Sequence, residues 1–198
     1  MAFVLAPRRA LAFRALPTRY GERLSFSTKK YTGNKNHRSS QARYHAAMKA
    51  CAHNRQPYQA LELLEEMQDA GVTRTVRTYN EVINAFGKVG QWKDAVDLLS
   101  VMESDGLKPD VFNYNAAISA CEKGGQWEKA LALFGSMQER GVKPNVITYS
   151  AAIEAVEQAG RFKDSMLLMA SARKLGFYPK AWASSSIIDL IKAKGVRL

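Results

Sequence analysis

Several residue types on which chemical sites depend are scarce in this chain of 198 residues. It holds two cysteines and three histidines, and they form none of the spacings of a metal site, including the His-x-Glu with Cys-x-x-Cys pattern of zinc deaminases. The glycine pair at 124–125 lacks the surroundings of a phosphate-binding loop, and no segment is long and apolar enough to span a membrane. We therefore expect no metal, no cofactor, no small-molecule substrate, no enzyme activity and no membrane association.

What the sequence has instead is a repeat of 35 residues. A tyrosine column shows it most clearly, and glycine, proline and methionine columns agree with it: Tyr44, Tyr79, Tyr114 and Tyr149; Gly71, Gly106, Gly141 and Gly176; Pro109, Pro144 and Pro179; Met67, Met102 and Met137. A fixed period of this size is typical of a solenoid. The predicted units are 41–75, 76–110, 111–145 and 146–180.

Each unit has the pattern of two helices. In the third unit the apolar residues follow helical spacing on both sides of a break at 123–126: Tyr114, Ala117, Ile118 and Cys121 before it, and Trp127, Ala130, Leu131 and Phe134 after it. Breaks in every half-unit exclude a long coiled coil. The sequence therefore predicts an all-α fold, an α–α superhelix (solenoid) of stacked antiparallel helix hairpins.

The ends of the units carry a more specific pattern. Units start with Thr-Tyr-Asn at 78–80 or Asn-Tyr-Asn at 113–115, and Met-x-x-x-Gly-Val/Leu-Lys-Pro-Asp/Asn closes units at 102–110 and 137–145. The chain thereby resembles the pentatricopeptide repeat family, in its plain form without a catalytic C-terminal domain, over residues 41–180. The first unit departs from the pattern, with Arg55 in place of glycine and Arg74 in place of proline. Residues 181–198 are predicted to form a capping half-repeat.

The first 40 residues stand apart from the repeat and hold nine arginines and lysines against one acid, Glu22. An Arg-rich, acid-poor, amphipathic N-terminus resembles an organellar transit peptide. We predict a leader over 1–40 directed to the mitochondrion, with a plastid as the alternative target. A basic arm that stays attached and touches RNA is the other interpretation. The leader supplies +8 of the net charge of +11, so the repeats themselves are only weakly basic.

The family resemblance implies single-stranded RNA bound on the concave surface, one base per repeat. The reading residues would be the fifth and last of each unit: His45 with Thr75, Asn80 with Asp110, Asn115 with Asn145, and Ser150 with Lys180. By this resemblance the second pair implies uracil, and the third implies cytosine with uracil tolerated. The competing interpretation is that Asn80 and Asn115 merely cap their helices.

Two further sets of residues complete the candidate RNA surface. The second residue of each unit would flank a base, which singles out Arg77, Phe112 and Ile147. Lys88 and Lys123, at the ends of first helices, could meet phosphates, or could simply be solvated ends favoured by the helix dipole.

Two readable repeats are too few to select one transcript. We therefore expect an organellar RNA-binding adaptor that acts with protein partners in RNA maturation, stability or translation. The alternative is a protein-interaction scaffold or ribosome-associated subunit without sequence-specific RNA recognition.

Overall fold

The computed structural model describes residues 37–177, and eight α-helices lie within that range. In chain order they are α1 (His37–His53), α2 (Pro57–Asp69), α3 (Val76–Lys88), α4 (Trp92–Ser104), α5 (Val111–Lys123), α6 (Trp127–Glu139), α7 (Val146–Gln158) and α8 (Phe162–Lys174). Most of the predicted leader, Lys180 and the predicted capping half-repeat lie outside the described residues.

The helix boundaries follow the predicted repeat. Helices α3, α5 and α7 begin at the first residues of the predicted units, Val76, Val111 and Val146. The second helices begin at Pro57, Trp92, Trp127 and Phe162, directly after the predicted breaks. Helix α1 differs, because it begins at His37, before the predicted boundary at 41.

The break between paired helices requires one residue with a positive φ. Gly125 supplies it after α5, with φ of 66°, which a glycine adopts at little cost. The equivalent residue of the first repeat is Arg55, with φ of 57°. The arginine therefore adopts the same left-handed conformation that the later repeats assign to glycine, and the departure from the repeat pattern changes the residue without changing the turn.

The described chain divides into two compact units. The N-terminal unit comprises residues 37–86 and 93–109, and the C-terminal unit comprises 87–92 and 110–177. In the N-terminal unit α1 packs against α2, and in the C-terminal unit α5 packs against α6 and α7, and α7 against α8. Helix hairpins stacked in this way confirm the predicted all-α solenoid class.

The repeated columns form the cores of both units. All four tyrosines of the 35-residue column are at most 3% exposed, and Met67, Met102 and Met137 are fully buried. Aromatic rings meet edge to face in each unit, Tyr58 with Phe86 and Phe134 with Tyr149. Each large side chain buried in this way contributes about 1.5–3 kcal/mol, so the repeat columns are first of all packing positions.

Arg74 replaces proline at the end of the first repeat, and its side chain is buried. Its Nε donates to the carbonyl of Leu64 at 3.1 Å, and its Nη1 donates to Asp105 Oδ2 at 2.8 Å. The hydroxyl of Tyr79 donates to the same carboxylate oxygen at 2.6 Å. The guanidinium thus ties α2, α3 and the end of α4 together, which explains how a charged residue is accommodated where later repeats have proline.

Candidate nucleic-acid interface

In the described part of the chain, the last residues of the first three predicted units cap the helices that follow them. Asp110 Oδ1 accepts from the backbone N–H groups of Phe112 at 2.9 Å and Asn113 at 3.1 Å, while Asn113 Oδ1 accepts from the N–H of Asp110 at 2.9 Å. Such a capping box satisfies donors that the first turn of a helix leaves without partners. One oxygen of Asp110 is thereby committed to the fold.

Asn145 repeats this arrangement one unit later. Its Oδ1 accepts from the N–H groups of Ile147 and Thr148, both at 3.0 Å, and Thr148 Oγ1 accepts from the N–H of Asn145 at 3.0 Å. In the N-terminal unit Thr75 plays the same part for α3, because its hydroxyl accepts from the N–H of Thr78 at 3.3 Å.

Asn80 and Asn115 do not cap their helices. Helices α3 and α5 begin at Val76 and Val111, so both asparagines lie in the second turn, beyond the positions that a cap occupies. The interpretation that assigned them a capping role is wrong, because the capping side chains belong to the last residues of the preceding units. Asn80 and Asn115 are therefore not required to close the helix ends.

One predicted reading pair is joined directly in the structure. Asn115 Nδ2 donates to Asn145 Oδ1 at 3.2 Å, and the hydroxyl of Thr148 donates to Asn115 Oδ1 at 2.6 Å. Asn115 is 8% exposed and Thr148 is fully buried, so these bonds form away from most solvent. The fifth and last residues of the third unit thus belong to one polar cluster in the C-terminal unit, which we call the Asn115 cluster (Asn115, Asn145, Thr148).

The other predicted pairs differ. His45 lies beside Glu81, with Nε2 3.2 Å from a carboxylate oxygen. Asn80 is half-buried on α3 in the N-terminal unit, whereas Asp110 caps the start of α5 in the C-terminal unit. Ser150 is half-buried on α7, and its predicted partner Lys180 lies outside the described residues.

The residues predicted to flank bases are exposed. Phe112 is 60% exposed and Ile147 is 57% exposed, at the second positions of α5 and α7, and Arg77 is exposed at the second position of α3. Lys123 is exposed at the end of α5, and Lys88 is half-buried at the end of α3. Large apolar side chains this exposed, beside cap residues with spare polar atoms, form a surface suited to a ligand with both flat and polar faces.

Among residues 37–177 no group of three His, Cys, Asp or Glu side chains could hold a metal ion. None of the described helices is long and apolar enough to cross a membrane.

Family models match most of the described chain. The PPR repeat family matches residues 74–121 and 109–158, and the pentatricopeptide repeat domain matches 32–89. These spans run without a gap over residues 32–158, more than half of the chain. The chain belongs to the pentatricopeptide repeat family. Among curated proteins none matches it significantly in sequence.

Solved structures of pentatricopeptide repeat proteins have the same fold. The protein PPR10 in complex with an 18-nt psaJ RNA element is 30% identical over 75% of this chain, with a TM-score of 0.65. PPR10 from maize is 27% identical over 77% of this chain, with a TM-score of 0.66. The chain spans 21% and 24% of the length of these two PPR10 chains.

A third similar structure supports the fold alone. The PPR domain of Arabidopsis thaliana protein-only RNase P 1, in complex with tRNA, is 18% identical over 76% of this chain and 77% of that domain, with a TM-score of 0.61.

Sequence reasoning missed two residues in this pentatricopeptide repeat protein. The sequence pattern marks Arg74 only as a departure from proline, because its partner Asp105 lies 31 residues further along the chain. Thr148 is absent from the predicted site. The spacing Asn145-x-x-Thr148 is that of a capping box and could have identified it.

Proposed function

We propose that this protein binds single-stranded RNA along the first helices of its hairpins, one base per repeat, and acts with protein partners in organellar RNA maturation, stability or translation. The observation that carries the proposal is the hydrogen bonding of the cap residues Asp110 and Asn145. Asp110 and Asn145 each use one side-chain oxygen to hold a helix start and keep a second polar atom that a ligand can contact.

The spare atoms of Asp110 and Asn145 have opposite hydrogen-bonding character. Asp110 Oδ1 holds the cap, and Oδ2 is an acceptor that can receive the imino hydrogen of uracil. Asn145 Oδ1 holds the cap, and Nδ2 is a donor that suits the unprotonated ring nitrogen of cytosine. The caps thus support the assignment of uracil to the second repeat and cytosine to the third.

Exposed Phe112 and Ile147 supply surfaces on which bases can stack. An aromatic stacking partner contributes about 1–3 kcal/mol per base, and a discriminated base adds about 1–3 kcal/mol. With two such repeats and weakly basic character, the protein would bind RNA too weakly to choose one transcript alone. This magnitude favours an adaptor that works with partners.

We place this activity in the mitochondrion, with a plastid as the alternative. The Arg-rich, acid-poor composition of the first 40 residues supports an organellar address. The solved PPR10 complex with RNA supports the ligand class, since PPR10 shares the fold and nearly a third of its aligned residues with this chain.

The decisive experiment is Asp110→Asn in the full chain. Asn145 already caps α7 in the equivalent place, so the variant should fold with little change in melting temperature. An acceptor becomes a donor, and preference at one base should move from uracil toward cytosine by on the order of 1 kcal/mol. Competition binding at fixed salt, with short RNAs that differ only at that base, measures the shift.

The matched control is Asp69→Asn. Asp69 is exposed at the end of α2, and its substitution removes the same charge without touching a cap. It should strengthen binding of all RNAs equally or leave it unchanged. If wild type and Asp110→Asn bind uracil and cytosine alike, Asp110 only caps α5, and the exposed apolar residues would then favour a protein-binding scaffold.

A further inference from the structure

The hydroxyl of Thr148 has both of its hydrogen-bonding roles fixed by neighbours. It accepts from the N–H of Asn145 at 3.0 Å, so its own proton must point elsewhere. Asn115 Oδ1, at 2.6 Å, is the nearest acceptor, closer than Asn145 Oδ1 at 3.1 Å. A hydroxyl carries one proton, and the shorter distance assigns it to Asn115.

These constraints also fix the orientation of the Asn115 amide. Asn145 Oδ1 is held as an acceptor by two backbone N–H groups, so it must face the NH₂ end of Asn115. Turning the Asn115 amide over would place two oxygens against each other and leave the Thr148 proton facing an amide NH₂. The arrangement therefore has one favourable state, in which the carbonyl of Asn115 is occupied inside the protein.

We propose that Thr148 is a positioning residue that sets the base preference of the preceding repeat. By donating to one lone pair of Asn115 Oδ1 and fixing the orientation of the amide, it directs the amide N–H donors of the Asn115 cluster toward a ligand, which suits the acceptor edge of cytosine and disfavours the imino N–H of uracil. This inference rests on the proposed RNA-binding function and goes beyond it, because Thr148 lies outside the predicted reading and flanking positions.

The N-terminal unit provides a matched control at the equivalent third position. The hydroxyl of Thr78 also accepts from a cap N–H, that of Thr75 at 2.9 Å, but donates to the Thr75 carbonyl at 2.8 Å. Thr78 is as deeply buried as Thr148. Thr78→Val therefore removes a comparable capping hydroxyl without releasing an asparagine amide.

The test uses the full chain with Thr148→Val, Thr148→Ser and Thr78→Val. The probes are single-stranded oligoadenylates that each carry one dinucleotide. One of its bases is U and the other, called N, is either C or U, and both orders, U-N and N-U, are used. In wild type and Thr148→Ser the preference for C over U at N should be retained. In Thr148→Val it should fall about threefold to tenfold, the factor of one hydrogen bond. Thr78→Val should lower the melting temperature but leave this ratio unchanged.

A second readout separates the inference from the proposed function. The side-chain NH₂ protons of Asn115, followed by NMR, should exchange slowly with solvent in wild type and Thr148→Ser and rapidly in Thr148→Val. Equal exchange in all three would overturn the positioning role, whatever RNA does. An unchanged C-to-U ratio in Thr148→Val would overturn its effect on specificity while leaving the proposed function intact. A wild type that binds none of the probes would instead refute the proposed function.

If Thr148→Val does not fold, Thr148→Cys replaces it. The thiol has nearly the volume of the Thr hydroxyl side chain but is a weaker donor. It should produce a smaller loss of the C-to-U ratio and faster NH₂ exchange than wild type. Wild-type behaviour in both measurements would contradict the proposal.

Discussion

The two compact units hold their polar residues by different means. In the N-terminal unit the buried polar centre is ionic, with the guanidinium of Arg74 against Asp105 and Tyr79. In the C-terminal unit it is neutral, with the amides of Asn115 and Asn145 and the hydroxyl of Thr148. Breaking a buried ion pair destabilises the fold because one charge loses its partner, whereas a neutral cluster at a cap keeps amide N–H donors that a ligand can accept from. Under the proposed function, stability and recognition would be carried by separate polar centres.

The largest expected effect comes from breaking the ionic centre. Arg74→Ala removes three hydrogen bonds from the N-terminal unit and leaves Asp105 beside Tyr79 without its cation. We expect the free energy of unfolding to fall by about 2–4 kcal/mol, somewhat less than a fully buried pair because Asp105 is partly exposed. Urea denaturation measures this loss.

Arg77→Ala is the control for that substitution. Arg77 is exposed on α3, three residues further along the chain, and its loss should change the unfolding free energy by less than about 0.5 kcal/mol. If both substitutions have the same small effect, the ionic centre does not hold the N-terminal unit, and the contrast between the two units fails.

A smaller effect comes from exchanging the residues of the two equivalent turns. Arg55, with φ of 57°, and Gly125, with φ of 66°, occupy the same place two repeats apart. Arg55→Gly relieves a left-handed backbone conformation that is unfavourable for arginine, but glycine also increases the entropy of the unfolded chain. We expect the net result to be a rise of about 0.5–1 kcal/mol in the unfolding free energy.

Gly125→Ala is the reciprocal change. A Cβ at this position would meet nothing within 4 Å, so any cost must come from the backbone conformation alone. We expect a loss of about 1 kcal/mol. Melting temperatures that move the same way in both variants would show that the turns are not equivalent.

The fold was largely predictable because several repeated columns of residues indicate the same helix boundaries. Every described helix except α1 begins where the tyrosine, glycine and proline columns place it, since each column encodes a packing or turn requirement. The site was less predictable. Asn145, the last residue of its unit, both caps a helix and contacts Asn115, the fifth residue of that unit. This contact depends on packing between consecutive first helices, and the pattern of one repeat carries no information about that packing.

Arg74 is a second case in which the sequence alone could not predict the contacts of a residue. Its departure from proline was visible in the sequence, but the meaning of that departure was not. The guanidinium joins α2, α3 and the end of α4 through residues that are ten and 31 positions apart along the chain. Only the fold brings them together.

The smallest expected effect on the unfolding free energy at neutral pH comes from the ionisation of the buried tyrosines. This effect becomes larger only at alkaline pH. Burial, with the nearby carboxylate of Glu66, raises the pKa of Tyr44 to about 12. Burial alone raises the pKa of Tyr149 in the C-terminal unit. Because the folded protein holds these protons more tightly than the unfolded chain, their contribution is fully present below about pH 10 and is lost as the pH rises through the folded pKa.

Unfolding free energies of wild type, Tyr44→Phe and Tyr149→Phe, measured from about pH 9 to about pH 12, test this difference. Each phenylalanine removes one titrating group, so each variant should lose stability less steeply than wild type above about pH 10. The Tyr44→Phe curve should stay shallower up to about pH 12, because its carboxylate neighbour delays ionisation in the folded state. If the stability curves of both variants run parallel to that of wild type, folding does not raise the pKa of either tyrosine. The carboxylate beside Tyr44 would then make no difference between the two units.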